Sequence, residues 1–436
     1  MSAEERHELG ITGGKLYING KFTEANLYAD GGLITAITAE NRNCMQNHDA
    51  KGKKVIPGLI DPHVHFSLRS GGHVSCDDFH NGSITAAFGG VTTFIDFLDP
   101  VSTAGELEPA LASRKAEAAG SVVDYTFHAT AANPVGSTEK IALGLKSLGI
   151  KSLKIFTTYS ESGRRTYEKE IAELLKLSDQ HGFILMVHAE DDEMVGIKPH
   201  HTIRDLPKAR DWKAESSQAL KLAEMAAEYG GEIYMVHTSS GKTVRALLKK
   251  HRGMLGNRFH IESCPHYFAL NDDVYGKKGG ALYAMIPPLR SRGSRNLLKR
   301  LVRHVETIGT DHCPYMKAEK NKHMLADIPM GIGSVENSFA VMHGIIGDRV
   351  LDMMSRRPAG IFGLFPRKGI LAEGSDADIV IYDESADREL NSGRSACDYS
   401  VYEGFRTNIR IEKVFCRGRI VIDDGRLMEG YGTCLL

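Results

Sequence analysis

Long apolar runs are missing from this chain. No stretch approaches the ~20 residues that cross a bilayer, so a membrane-embedded protein is not expected. Excess charge of one sign is missing too, since 54 basic residues face 55 acidic ones for a net −1. That balance argues against a nucleic-acid or acidic-membrane partner, either of which requires basic patches. The seven cysteines include no Cys-x-x-Cys pair. An odd, dispersed set fits a reducing cytoplasm better than a disulfide framework. There is no P-loop and no Gly-x-Gly-x-x-Gly after a strand. The first residues, Met1-Ser2-Ala3-Glu4-Glu5-Arg6-His7, are polar and acidic, unlike a signal peptide. What is present is an ordinary soluble composition, 42% hydrophobic and 25% charged over 436 residues, long enough for a large core and more than one domain.

Both ends of the chain read as short strands and turns. Lys15 to Phe22 has the pattern of a hairpin turning at Asn19-Gly20. Gly31 to Ile37, Asp378 to Tyr382 and Lys413 to Ile422 are also strand-like. A few short strands cannot close a core alone, so residues 1–56 and 372–436 are expected to form one small β-sandwich domain. The insert, 57–371, alternates. Strands are expected at Val55 to Ile60, Thr92 to Phe97, Val122 to His128, Ser152 to Phe156, Phe183 to His188, Glu232 to His237, His260 to Cys264 and Thr307 to Asp311. Helices are expected near Glu106 to Ala119, Glu139 to Leu148, Tyr167 to Gln180, Ser216 to Tyr229 and Lys242 to His251. Repeated βα units imply a parallel sheet, and about eight strands close a (β/α)8 barrel of the TIM type. A doubly wound open sheet is the alternative.

The chemistry-bearing residues sit at the ends of these strands. In Asp61-Pro62-His63-Val64-His65 the two histidines are two apart and face one side, as a chelating pair would. Lys154, His188, His237 and Asp311 lie at the end of, or within, other apolar strands. The C-terminal ends of barrel strands converge on one face. A lone strand-end histidine is ordinarily structural; five strands delivering His, Lys or Asp to one rim are hard to explain by packing. Lys154, flanked by Leu153, Ile155 and Phe156, cannot ligate a metal as an ammonium. Burial should lower its pKa. As a neutral amine it could form a Schiff base or capture CO2 as a carbamate able to bridge two cations. The four histidines and the aspartate favour the carbamate.

Taken together, these segments resemble the amidohydrolase superfamily, and within it the dihydropyrimidinase/hydantoinase branch of cyclic amidases. The resemblance runs along nearly the whole chain. It is carried by Gly58 to His65, Cys76 to Phe79, Ala86 to Thr93, Ile95-Asp96-Phe97, Leu153 to Phe156 with Tyr159, Val187 to Glu190, Val236 to Ser239, Pro287 to Arg290, Ile308 to Pro314 and Leu371 to Asp378. It implies a binuclear site, with His63, His65 and Asp311 on one divalent ion, His188 and His237 on the other, and carbamylated Lys154 between them. Zinc is the usual ion in this branch. The implied reaction is hydrolysis of a cyclic amide by a bridging hydroxide, since cations make hydroxide available near neutrality. Asp311 moves the proton, and Tyr159 hydrogen-bonds the oxyanion. The family commonly forms homotetramers, and residues 398–436 resemble its C-terminal region.

The substrate side departs from the branch. Ile286 stands where a serine usually precedes Pro-Pro-Leu-Arg, and Met330 replaces asparagine in Ile-Pro-Asn-Gly. Those family positions contact the ring amide mainly through backbone. Phe156 keeps a bulky position, whereas Ser70 and Gly163 fall where many hydantoinases carry large apolar residues. Arg69, Arg164 and Arg165 lie close by, and arginine suits carboxylates and carbonyls, so a polar or anionic substituent is expected on the ring. Solvated loop charges are the plain alternative. Allantoinase is the second reading, favoured by Ser263-Cys264-Pro265-His266-Tyr267. Dihydroorotase is third, because Ser67 replaces its arginine. A metal-free scaffold like the collapsin response mediator proteins, or a Schiff-base aldolase using Lys154, are readings from other classes.

Overall fold

The apolar run from Lys54 to Asp61 serves two sheets rather than one strand. In the computed structural model, which describes residues 6–391 and 393–436, Lys54–Pro57 pairs with Ile379–Asp383 and His7–Ile18, while Leu59–Asp61 opens the barrel. Gly58 makes the crossing. A Cβ there would lie 2.0 Å from Thr92 Oγ1 and 2.8 Å from Asp378 Cβ, so only glycine lets the barrel and the end sheet approach this closely. The opening residues 1–5, read above as unlike a leader, lie outside the described residues.

The end sheet has nine strands drawn from both halves of the chain. His7–Ile18 and Lys21–Asp30 form the expected hairpin, with Ile18 opposite Lys21. Asn19 and Gly20 both have positive φ, 51° and 79°, as a two-residue hairpin turn requires. Leu9, Ile11, Leu27, Val55, Ile379 and Phe415 pack into a core separate from the barrel's. The sheet is fastened to the barrel by Lys368, whose Nζ lies 2.8 Å from Asp124, 3.0 Å from Asp376 and 2.7 Å from Asp378.

Eight parallel strands form the barrel: β1 (Leu59–Asp61), β2 (Val91–Phe97), β3 (Asp124–Thr130), β4 (Ser152–Phe156), β5 (Ile184–His188), β6 (Ile233–Met235), β7 (Phe259–Ser263) and β8 (Thr307–Ile308). Each pairs with its neighbour in chain order. The ends meet where Val64 bridges His312 and Asp311 N–H donates to His63 O at 2.8 Å. This closure rules out the doubly wound alternative. Helices return between strands, among them Leu107–Glu117, Thr138–Leu148, Glu168–His181 and Gly241–His251. Trp212–Tyr229 starts four residues earlier than expected because the Asp211 carboxylate caps it, accepting from Lys213 N–H. Strand alternation turns Ile95 and Phe97, Ile184 and Met186, and Tyr234 and Val236 to a common interior cluster, which Phe362 joins. The next inward steps on β4 and β5 are Lys154 and His188. Among the described residues no helix is long and apolar enough to cross a membrane.

Candidate active site

The first strand stops at Asp61, not at the histidines. Pro62 has no N–H to donate, and the Asp61 carboxylate accepts from His63 N–H at 3.1 Å and from Thr310 Oγ1 at 2.6 Å. That buried carboxyl joins the first strand to the last; burial raises its pKa to about 6 although these donors pull it down. His63 and His65 follow on extended backbone, their Nε2 atoms 3.2 Å apart. Asp311 Oδ1 is 3.2 Å from His63 Nε2 and 3.1 Å from His65 Nε2. On the opposite side, His188 Nδ1 faces His237 Nε2 at 2.9 Å. The two groups adjoin, with the His63 and His237 ring centroids 5.5 Å apart. Phe97 lies under His63, His65 and Lys154, whose Nζ is 5.3 Å from its ring centroid.

Three of these residues hold left-handed backbone: His237 at φ 37°, Asp311 at 51° and Tyr159 at 71°. Non-glycine residues adopt it at a cost that surrounding structure must hold in place, and such positions gather at functional sites. Here the turn explains why β6 and β8 end earlier than expected. His237 and Asp311 leave the strand ladder to aim their side chains inward.

The ring orientations are set from behind. A carboxylate can only accept, so His63 Nδ1–H donates to Glu262 Oε1 at 2.7 Å and His188 Nε2–H donates to Glu190 Oε2 at 2.7 Å. The opposite nitrogen of each ring is thereby left facing the cluster. This is the way carboxylates orient metal-binding histidines. Glu262 also accepts from His237 N–H at 2.7 Å and from Tyr234 at 2.8 Å. Glu190 is gripped by buried Arg210, and Arg290 bonds Ser239 and the Arg210 carbonyl. The motifs around His188 and Pro287 contain Glu190 and Arg290, but sequence alone did not single out either residue, nor Glu262 or Arg210. A carboxylate two residues after a strand-end histidine was the available signal.

The charge balance of this cluster favours a cation. Burial lowers the pKa of His63, yet Glu262 and Asp311 raise it to about 9. Burial works to raise Asp311, but His63 and His65 hold it well below the usual carboxylate range. Burial lowers His237 well below an ordinary imidazole and Lys154 to about 8. No hydrogen bond or ion pair holds Lys154 Nζ among the described residues. His65 Nδ1 and His237 Nδ1 are buried and unpartnered there as well. Four imidazoles and a carboxylate form a donor set that fits divalent metal ions, beside a buried lysine that no partner holds among the described residues.

These residues line one side of a cavity of about 340 Å³ that also contacts Arg69, Phe156, Tyr159, Ile286 and Met330. Ser70 and Arg164 are on its wall. Arg165 is diverted to Asp192, 3.1 Å away. Arg69 reaches Glu117 at 3.1 Å, whereas Arg164 donates its backbone N–H to Tyr159 O at 3.1 Å and its guanidinium has no hydrogen-bond or ion-pair partner among the described residues. The Tyr159 ring is 5.3 Å from that of His188, and burial raises its hydroxyl pKa to about 12.

The family model of the amidohydrolase family matches residues 54–421, and the chain belongs to that family. Within the family, its similarity runs to the hydantoinase branch. The chain is 31% identical to a D-hydantoinase of Geobacillus stearothermophilus, over 94% of this chain and 92% of that protein. It is 30% identical to a D-phenylhydantoinase of Escherichia coli, over 86% of each. Its fold is similar to the solved D-hydantoinase (dihydropyrimidinase) of a Thermus species, with a TM-score of 0.90, 28% identity and 98% of each chain covered.

Proposed function

We propose that this cyclic amidohydrolase opens a hydantoin- or dihydropyrimidine-type ring at an amide bond, giving an N-carbamoyl amino acid. The observation that carries the reading is the convergence of His63, His65, Lys154, His188, His237 and Asp311 on one wall of a ligand-sized cavity. The names of the relatives support it. His63, His65 and Asp311 would hold one divalent ion and His188 and His237 the other, with Lys154 as a carbamate contacting both. Two zinc ions bound there would supply hydroxide at neutral pH and polarise the ring carbonyl.

The chain's own groups do the rest. Asp311 stays ionised, so its carboxylate can accept the proton of the attacking water and return it to the departing ring nitrogen. Tyr159 stays protonated at neutral pH, so its hydroxyl can donate to the oxyanion. Phe156 walls the ring. The peptide groups of Ile286 and Met330 make no hydrogen bond among the described residues and are free for the ring amide. The test is a panel of dihydrouracil, 5-substituted hydantoins, allantoin and dihydroorotate, scored by release of the ureido acid. Release from the first two classes is expected; turnover of allantoin or dihydroorotate alone would replace this reading.

The Arg164 guanidinium, unpaired among the described residues, and Arg69 on the same cavity wall support a polar or anionic ring substituent. Arg69→Ala and Arg164→Ala should each lower kcat/KM for an anionic hydantoin about tenfold relative to a neutral one. An unchanged ratio removes the idea.

A further inference from the structure

We propose that Lys320 is a positioning residue, clamping the two loops that present the Ile286 and Met330 peptides to the substrate ring. The inference rests on reading the cavity as a ring-amide site. Lys320 closes a short helical turn, Lys317–Lys320, and is fully buried. Its Nζ donates to three carbonyls: Ala284 at 2.6 Å, Pro329 at 2.9 Å and Gly331 at 2.7 Å. Burial lowers its pKa to about 7, and in the ammonium form all three hydrogens are used.

The choice of acceptors is what gives the clamp a role. Pro329 and Gly331 flank Met330, and Ala284 is two residues before Ile286. One cation therefore ties both loops, and Gly331 N–H adds a direct link by donating to Ala284 O at 3.0 Å. Cys313 N–H donates to Ile332 O at 2.9 Å, fastening the same loop two residues beyond Asp311. Packing is tight here, since a Cβ on Gly331 would lie 2.3 Å from Cys313 O. The carbonyls on either side of Met330 are thus consumed, while among the described residues the Met330 and Ile286 peptides stay unpaired. Ile286, Pro329, Met330 and Gly331 all contact the cavity. A buried cation bonded only to neutral carbonyls is an expensive way to stabilise a fold. Its placement makes sense as a spacer that keeps two recognition peptides at a fixed separation before substrate arrives.

Steady-state kinetics of Lys320→Met and Lys320→Gln test this, with bound metal measured alongside. The methionine variant should raise KM for a ring that the wild type opens by about tenfold, with kcat and metal content changed less than about threefold. The glutamine variant, which keeps two donors, should recover part of the loss. Unchanged KM with only a lower Tm would overturn the clamp. Should both variants fail to fold, hydrogen exchange of the wild type decides. The bonded amide of Gly331, with those of Ala284 and Leu289 on the facing loop, should exchange as slowly as the barrel strands before a thiohydantoin probe is added. Fast exchange there, slowed only by the probe, would also overturn it. A wild type that opens no cyclic amide would sink the proposed function instead, and the exchange experiment would still judge the clamp.

Discussion

Two buried polar clusters in this molecule look alike in composition and differ in what they leave undone. At the barrel–sheet joint, Lys368 faces Asp124, Asp376 and Asp378, all nearly inaccessible. Asp124, Asp378 and Cys416 even bring three donor atoms within 4.8 Å of one another, as His63, His65 and Asp311 do at the rim. Yet an ammonium already occupies the joint, and Arg417 adds a second cation 3.2 Å from Asp124. At the rim, ring nitrogens face one another and, among the described residues, the Lys154 amine has no partner. Proximity of ligand atoms is therefore a poor guide to metal sites; what matters is whether the protein's own donors already satisfy the acceptors.

The largest expected effect removes the amine from the rim. Lys154→Met should lose bound divalent metal and about 1000-fold in kcat/KM, and its Tm should match that of the metal-stripped wild type, because among the described residues no hydrogen bond of Lys154 Nζ is broken. Metal analysis and turnover check both halves, and retention of metal and activity would break the contrast. Next comes the joint. Lys368→Met leaves buried Asp378 without a cation, and Asp124 and Asp376 with only Arg417 and Arg367, and should cost about 4 kcal/mol in denaturant unfolding, while the folded variant keeps kcat/KM within about twofold. A variant equally stable but inactive would merge the two clusters.

The smallest effect sharpens the contrast at a third cluster. His260 lies 2.9 Å from Glu306 and 3.5 Å from Glu232. Burial lowers its pKa, but the two carboxylates raise it to about 9 from an ordinary 6.5. A raised histidine pKa contributes stability that is complete below about 6.5 and is lost as pH rises through about 9. His260→Gln should therefore cost about 2 kcal/mol at roughly pH 6 and almost nothing at roughly pH 10. A cost independent of pH would mean that the ring matters for its shape alone.

The rim was legible because strand alternation is a strong pattern. Once β4 and β5 are recognised as apolar strands, Lys154 and His188 fall inward by parity. The hairpin at Asn19-Gly20 was legible for a similar local reason. The split at Gly58 was not, since a continuous apolar run gives no sign that its two halves bond to different sheets. Nor was the support behind the rim. Glu262 reads as one polar residue in a strand, and only the fold places it against His63, the backbone of His237 and Tyr234. The left-handed turns at His237 and Asp311 were hidden too, because His and Asp are enriched at positive φ but most residues of either type do not adopt it.

The crossing at Gly58 makes the molecule vulnerable at one point. A methyl group there would wedge against Thr92 on one side and Asp378 on the other, prising apart two bodies that each fold around their own interior. His63 is only five residues downstream, so the misfit would reach the first imidazole as a displacement of its anchor. A heat-labile mutant with an intact set of rim side chains is the phenotype to look for at this position.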